Sequence, residues 1–133
     1  MSQENIEIAV RYFEATDLAE AIRALAEDVT FVFHGKMRTI AGAETVSGRK
    51  AAIEWLTDWF SRFDPDYRME IKESRDWGDR VLVVPNHRAS GRASGIPISE
   101  QTAEVLTMRD GKIIRQDFFA SRDEALEAAG LSE

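Results

Sequence analysis

The chain has 133 residues, 44% of them hydrophobic, with 17 Lys and Arg against 24 Asp and Glu for a net charge of −7. That length suits a single domain, 1–133, with a real core. The acidic balance argues against nucleic acid and against anionic membrane surfaces as partners, and the absence of Cys excludes disulfides, thiolate metal sites and Cys nucleophiles.

The first ten residues, MSQENIEIAV, are acidic and lack a basic n-region, so no secretory signal is expected. No apolar run approaches the length of a membrane span, and the expectation is a soluble, cytoplasmic protein. Ile6, Ala9, Val10 and Phe13 stand at helical spacing and predict a first helix with Ser2 as its N-cap. Asp17 restarts the pattern with Leu18, Ile22 and Leu25 on one face and Glu20 at capping-box distance. DVTFVFHG reads as a strand, rich in β-branched and aromatic residues. KMRTIAGAETVSG reads as a loop. A longer helix is predicted from about Arg49 to about Phe63, with Ala52, Trp55, Leu56, Trp59, Phe60 and Phe63 on its inner face and Pro65 just beyond its end.

The second half is mostly strands. YRMEIKES alternates Tyr67, Met69 and Ile71 with charged residues, and DWGD turns it. RVLVVPNHRASGR is a long strand in which Pro85 signals a bulge or an edge. After the connection ASGIP, SEQTAEVLTM and KIIRQDFFA form the last two strands around Asp110-Gly111. SRDEALEAAG closes with a short helix: Ser121 and Glu124 have capping-box spacing and Gly130 fits C′. Helices first and antiparallel strands afterwards predict an α+β domain built on one curved sheet with helices on one face.

The order of elements and the stretches FEATDLAEAIRALAEDVTFVFHG, SGRKAAIEWL and RDGKIIRQDFFASRDEALEAAGL resemble the SnoaL-like group of the nuclear transport factor 2-like superfamily, over nearly the whole chain. The resemblance implies a cone-shaped fold of cystatin-like type: a bent antiparallel sheet wrapped over helices, with a ligand pocket in the wide end. Such domains are commonly dimeric through the outer sheet face. Members include ketosteroid isomerases, polyketide cyclases, limonene-epoxide hydrolases and many non-catalytic domains.

Glu104 alternates into register with Leu106 and Met108. On its own it reads either as a solvated residue or as a carboxyl turned into a cavity. The resemblance favours the second, because a Glu at this position looks like the acid that donates a hydrogen bond to the substrate oxygen in ketosteroid isomerases. Buried among apolar side chains, a carboxyl favours its neutral form. Arg88 opposite it would keep it ionised, whereas Asn86 would leave it free to protonate. Across the other neighbour, a three-residue turn Arg109-Asp110-Gly111 would place Gln116 opposite Glu104, and a two-residue turn would place Asp117 there. The resemblance favours Gln116, with Phe118 also inward; Asp117 on its own reads as an outward, solvated residue.

Tyr12 reads either as a core tyrosine or as the first-helix phenol that joins the oxyanion site in the isomerases. Counting from AEDVT, Phe33 stands where the isomerase base would be, and an alternative register puts Gly35 there; neither is an acid. His34, beside Phe33, is a candidate base or polar acceptor and otherwise a strand-end residue facing a helix or solvent. His87 is expected outside the pocket. The limonene-epoxide hydrolase pattern of Arg and two Asp is missing, since Phe118 occupies the place of the last-strand Asp. No metal-ligand spacing and no phosphate loop are present, so neither metal nor cofactor is expected.

The function expected is binding of a small hydrophobic molecule bearing an oxygen, with isomerase- or cyclase-type acid–base conversion left open. The alternative is a non-catalytic ligand-binding or dimerisation module. The pocket residues expected are Phe31, Phe33, Trp55, Leu56, Trp59, Leu82, Val84, Leu106, Met108 and Phe118. The polar set is Tyr12, Asn86, Arg88, Glu104 and Gln116, with Glu104, Tyr12 and His34 as the catalytic candidates. Ala103, Val105, Thr107 and Phe119 are too apolar for a solvated sheet face. They predict a homodimer through that face, or cover by the C-terminal helix.

Overall fold

The computed structural model describes residues 2–91, 95 and 97–130, apart from the side chains of Ser2, Pro97 and Ile98. In chain order the elements are α1 (Ser2–Glu14), α2 (Leu18–Ala21), a 3-10 turn (Ile22–Ala24), β1 (Leu25–Phe33), α3 (Met37–Ala41), β2 (Thr45–Ser47), α4 (Arg49–Phe60), β3 (Arg68–Asp76), β4 (Arg80–Ser90), β5 (Pro97–Gln101), β6 (Ala103–Arg109), β7 (Lys112–Phe119) and α5 (Arg122–Ala128). The capping role expected of Ser2 and most of the ASGIP connection lie outside the described residues. Asp17 caps α2 by accepting from the Ala19 amide at 3.0 Å. Ser121 caps α5 by accepting from the Glu124 amide at 3.2 Å, and Gly130 follows at φ 73°, the left-handed geometry that favours glycine after a helix. The stretch expected to be a loop after β1 holds α3 and β2.

The strands form one sheet in the order β2-β1-β7-β6-β4-β3, with β5 beside β4. All pairs are antiparallel except β1 with β7. The strand expected over SEQTAEVLTM is broken at Thr102 into β5 and β6. Both halves keep one continuous register on β4, as Asn86 opposite Gln101 and Val83 opposite Glu104 show. The break falls opposite Pro85, whose carbonyl accepts from the Thr102 amide at 3.2 Å. A proline is tolerated in this interior strand because it stands where β4 changes partner from β6 to β5, and where the β3–β4 register also slips between Ile71 and Glu73. Such bulges bend a sheet, and here they curl it around α1 and α4.

Two apolar clusters result. The concave face carries the main one, with Ala9 and Phe13 of α1, Ala52 and Leu56 of α4, and Phe31, Phe33, Val81, Val83, Leu106 and Met108 from the strands. On the convex face Leu82, Val84, Ala103, Val105 and Phe119 pack beneath Ala125 and Leu126 of α5. Arg122 ties α5 to β3 by donating to Glu73 at 2.6 Å. Helices therefore lie on both faces rather than one. Ala103, Val105 and Phe119 are 0–4% exposed within a single chain, so the apolar outer face that suggested a second copy is covered by α5.

Candidate functional site

A cavity of about 610 Å³ opens at the wide end of the cone, between the C-terminal turns of α1 and α4 and the strands β3, β4, β5 and β6. That volume falls in the range of small-molecule sites. α4 brings one aromatic wall because Trp55 and Trp59 recur at helical spacing; the helix ends at Phe60, short of the expected Phe63, which extends the wall from just beyond it. The two indoles stack at 5.7 Å and 8°, and Phe63 lies against Trp59 at 5.4 Å. Phe118 of β7, Tyr67 just ahead of β3 and Met69 within it also line the space.

Of the residues expected in the pocket, Tyr12, Trp55, Leu56, Trp59, Glu104, Gln116 and Phe118 line this cavity. The others do not. Phe31, Phe33, Leu106 and Met108 do face the concave side, but they are sealed in the core. Phe33 stacks on Phe118 at 4.5 Å and leaves no opening at the strand end. Leu82 and Val84 lie on the opposite face under α5. Asn86 and Arg88 share their phase and also lie outside, Arg88 being exposed.

The correction on β4 has one cause. Val81, Leu82, Val83 and Val84 are all apolar because both faces of this strand are covered, so alternation within the run carries no phase. The odd-numbered set faces inward: Val81 and Val83 enter the core, and His87 and Ala89 line the cavity. His87, expected outside, is therefore inside. The pairing of β3 with β4 sets Met69 opposite His87, and opposite residues share a face. The inward alternation of Tyr67, Met69 and Ile71 was the signal that points His87 inward.

His34 is also placed differently from its catalytic reading. It follows β1 on the convex side and stacks on Phe119 at 4.4 Å and 9°. Its Nε2 lies 2.7 Å from Asp117 Oδ1. Asp117 accepts from Arg115 as well, at 2.9 and 3.0 Å. It points outward, yet it is buried by these partners rather than solvated. Gln116 faces inward, but its partner across the ladder is Leu106; Glu104 stands opposite Phe118 and Val83. The turn itself has two residues, Asp110 and Gly111, at φ 52° and 76°. That turn alone would put Asp117 opposite Glu104. A bulge in which Thr107 pairs Arg115 and Met108 pairs Ile113 adds Ile114 and restores the phase.

Glu104 is 3% exposed. Burial pushes its carboxyl up to about 8, against a weaker opposing pull from the Thr102 hydroxyl. Its hydrogen-bond partner is Thr102 Oγ1, at 3.3 and 3.4 Å from the two carboxyl oxygens. Thr102 Oγ1 lies 2.7 Å from His87 Nε2, and His87 Nδ1 lies 2.8 Å from the Tyr67 hydroxyl. Burial lowers His87 to about 4, which keeps it neutral at pH 7. Burial likewise raises Tyr67 to about 12, with a hydrogen bond from Trp59 opposing the rise. Tyr12 donates to Gln116 Oε1 at 2.7 Å; its phenol is raised by burial and then by the Glu104 charge. Among the described residues no group of three or more His, Asp or Glu side chains is placed to hold a metal ion.

A curved sheet laid over helices thus encloses an aromatic cavity with a carboxyl on its wall. The model of the SnoaL-like domain matches residues 7–116, and the chain belongs to that family. No curated protein matches it in sequence. Among solved structures it is similar to a nuclear transport factor 2-like protein of unknown function from Burkholderia pseudomallei, at 19% identity over 93% of this chain and 95% of that one, TM-score 0.74. It is also similar to a protein with a ketosteroid isomerase-like fold from Catenulispora acidiphila, in complex with trimethylamine, at 19% identity over 99% and 96%, TM-score 0.72. A third is TerC co-crystallised with polyporic acid, at 24% identity over 93% and 96%, TM-score 0.73. At these identities the likeness is one of fold. No described helix is long and apolar enough to cross a membrane.

Proposed function

We propose that the cavity binds a small, largely apolar molecule carrying a carbonyl or hydroxyl oxygen, and that this oxygen meets the carboxyl of Glu104. The observation that carries the reading is a fully buried carboxyl, raised to about 8, on the wall of an aromatic cavity of about 610 Å³. A neutral carboxyl in such a place is a hydrogen-bond donor, and a site built to pair a ligand oxygen rejects an analogue without one. A group that titrates near neutral pH can also give and take a proton, the requirement for isomerase- or cyclase-type acid–base chemistry. The ketosteroid isomerase-like fold of one similar structure and the polyporic acid co-crystallised with another support this class of ligand.

The second reading is binding without turnover. It is favoured by Phe33, whose ring fills the position where the isomerase resemblance places a base.

Tryptophan fluorescence tests the binding, because Trp55 and Trp59 line the cavity while Trp77 packs against the α5 cluster and provides a constant background. Titration at pH 6.5 with 1-tetralone, 2-naphthol and the hydrocarbon tetralin should show the two oxygenated probes bound about tenfold more tightly, the worth of one hydrogen bond. Glu104→Leu should remove the difference. Equal affinity for tetralin and tetralone in the unaltered protein refutes the reading.

A further inference from the structure

The hydrogen bonds behind Glu104 have a direction. The indole of Trp59 is a donor only, and toward the Tyr67 phenol it acts as a hydrogen-bond donor that opposes the rise caused by burial. Tyr67 has one proton left to give, and the acceptor in reach is His87 Nδ1 at 2.8 Å. Neutral imidazole carries one N–H, so accepting at Nδ1 leaves the proton on Nε2, which faces Thr102 Oγ1 at 2.7 Å. Thr102 then has its own hydroxyl proton to donate, and the carboxyl oxygens of Glu104 lie at 3.3 and 3.4 Å. Every link spends its one donor toward Glu104.

We propose that the chain Trp59–Tyr67–His87–Thr102 runs donor to acceptor in that single direction, and that His87 is thereby a positioning residue for Glu104. Thr102 Oγ1 stands nearly equidistant from the two carboxyl oxygens, at 3.3 and 3.4 Å. With the Thr102 hydrogen spent on the carboxyl and its oxygen accepting from His87, the acidic proton of Glu104 is left to point into the cavity that Glu104 lines. A ligand oxygen entering past the aromatic wall meets a donor already aimed. Reversing the chain would leave Tyr67 accepting twice, from Trp59 and from His87, with its own proton turned away from Glu104 and into the cavity that Tyr67 lines. The inference deepens the reading of Glu104 as the ligand's donor and rests on it for its use, but the arrangement exists without any ligand.

The other titratable groups lining the same cavity are Tyr12 from α1, Lys36 ahead of α3, Asp64 beyond α4 and Glu100 on β5. Of these, Tyr12 interacts with Glu104 through its charge, and Gln116, which faces the cavity from β7, is already paired to Tyr12.

The test needs no ligand, so its failure is distinguishable from failure of the binding titration. The chain has two His residues, and the long-range ¹H–¹⁵N spectrum of His87, assigned by its loss in His87→Gln, reports the tautomer directly. The expected result is neutral imidazole protonated on Nε2 from pH 6 to 8. In Tyr67→Phe the preference should weaken, since the donor that holds Nδ1 is gone. Protonation on Nδ1, or a tautomer indifferent to Tyr67→Phe, overturns the direction. The carbonyl stretch of Glu104, identified in ¹³C-glutamate-labelled protein by its loss in Glu104→Gln, reads the other end. Thr102→Val should shift that band and raise its titration midpoint. His87→Phe should shift both the same way, and the double variant no further than Thr102→Val alone. If His87→Phe does not fold, Tyr67→Phe takes its place with a smaller shift in the same direction. Additive shifts, or a band unmoved by either remote change, would show that His87 only packs against the cavity and overturn the proposal.

Discussion

Glu104 and His87 impose opposite pH dependences on stability, and the sum is testable. Glu104 is raised from 4.5 to about 8 in the fold. Between those pH values the native state holds a proton that the unfolded chain has released, so stability falls as pH rises. The whole span is worth about 5 kcal/mol at about 1.4 kcal/mol per unit. His87 is lowered from 6.5 to about 4. Across that window the unfolded chain holds the extra proton, and stability rises with pH by about 3 kcal/mol. From pH 4.5 to 6.5 the two slopes cancel. Above 6.5 only Glu104 still acts, which leaves a fall of about 2 kcal/mol by pH 8. Urea denaturation at pH 6.5 and 8.5 should therefore show the midpoint dropping by roughly 1 M, for a slope in the usual range of about 1–3 kcal/mol per M. Glu104→Gln keeps the shape of the neutral carboxyl and cannot ionise, so its midpoint should be the same at both pH values. An unaltered protein with no drop, or a Gln variant that drops equally, refutes the account of Glu104 as a carboxyl kept neutral by burial.

Arg88→Met should leave that titration unchanged, because Arg88 is exposed on the side of β4 away from Glu104; a midpoint that moves would place the guanidinium within reach of the carboxyl. Tyr12→Phe leaves the buried Gln116 amide without its 2.7 Å partner and should destabilise by about 1–3 kcal/mol, most of it recovered in Tyr12→Phe/Gln116→Leu, with urea melts as the readout. Leu126→Ala should cost about 2–4 kcal/mol and raise the scattering mass, since it loosens the helix that covers Val105 and Phe119; an unchanged melt and mass would show that α5 does not protect this face. A β,γ-unsaturated ketosteroid should not be isomerised at enzyme-like rates, since the missing general base alone accounts for about 10²- to 10⁴-fold; rapid turnover would show that another group serves as base.

The α+β order and the long helix α4 were legible in the sequence because each rests on a period that one covered face leaves intact, whereas the inward side of Glu104 came from the family resemblance, since both faces of β6 are covered. Trp55, Leu56 and Trp59 mark the inner side of α4, and Tyr67 and Met69 mark that of β3. Legibility fails where both faces are covered. In β4 the run Val81–Val84 fills the core on one side and the α5 cluster on the other, so nothing in it tells odd from even. The phase chosen there displaced Leu82, Val84, Asn86 and Arg88 together and moved His87 out of the cavity. A bulge is equally silent: the extra Ile114 that returns Gln116 to the inside has no signature in KIIRQDFF, and the two-residue turn considered alone pointed to Asp117. His34 shows a third limit. One residue past Phe33 on a strand is the opposite face, so a histidine beside the expected base position is, for that reason, turned away from it and toward Asp117. What the single sequence does contain is the constraint between strands. Once Met69 is known to face inward, its partner on β4 must face inward too, and that partner is His87. Resolving β4 by its neighbour rather than by its own composition places an imidazole behind Thr102, and with it the hydrogen bonds that aim the Glu104 proton into the cavity.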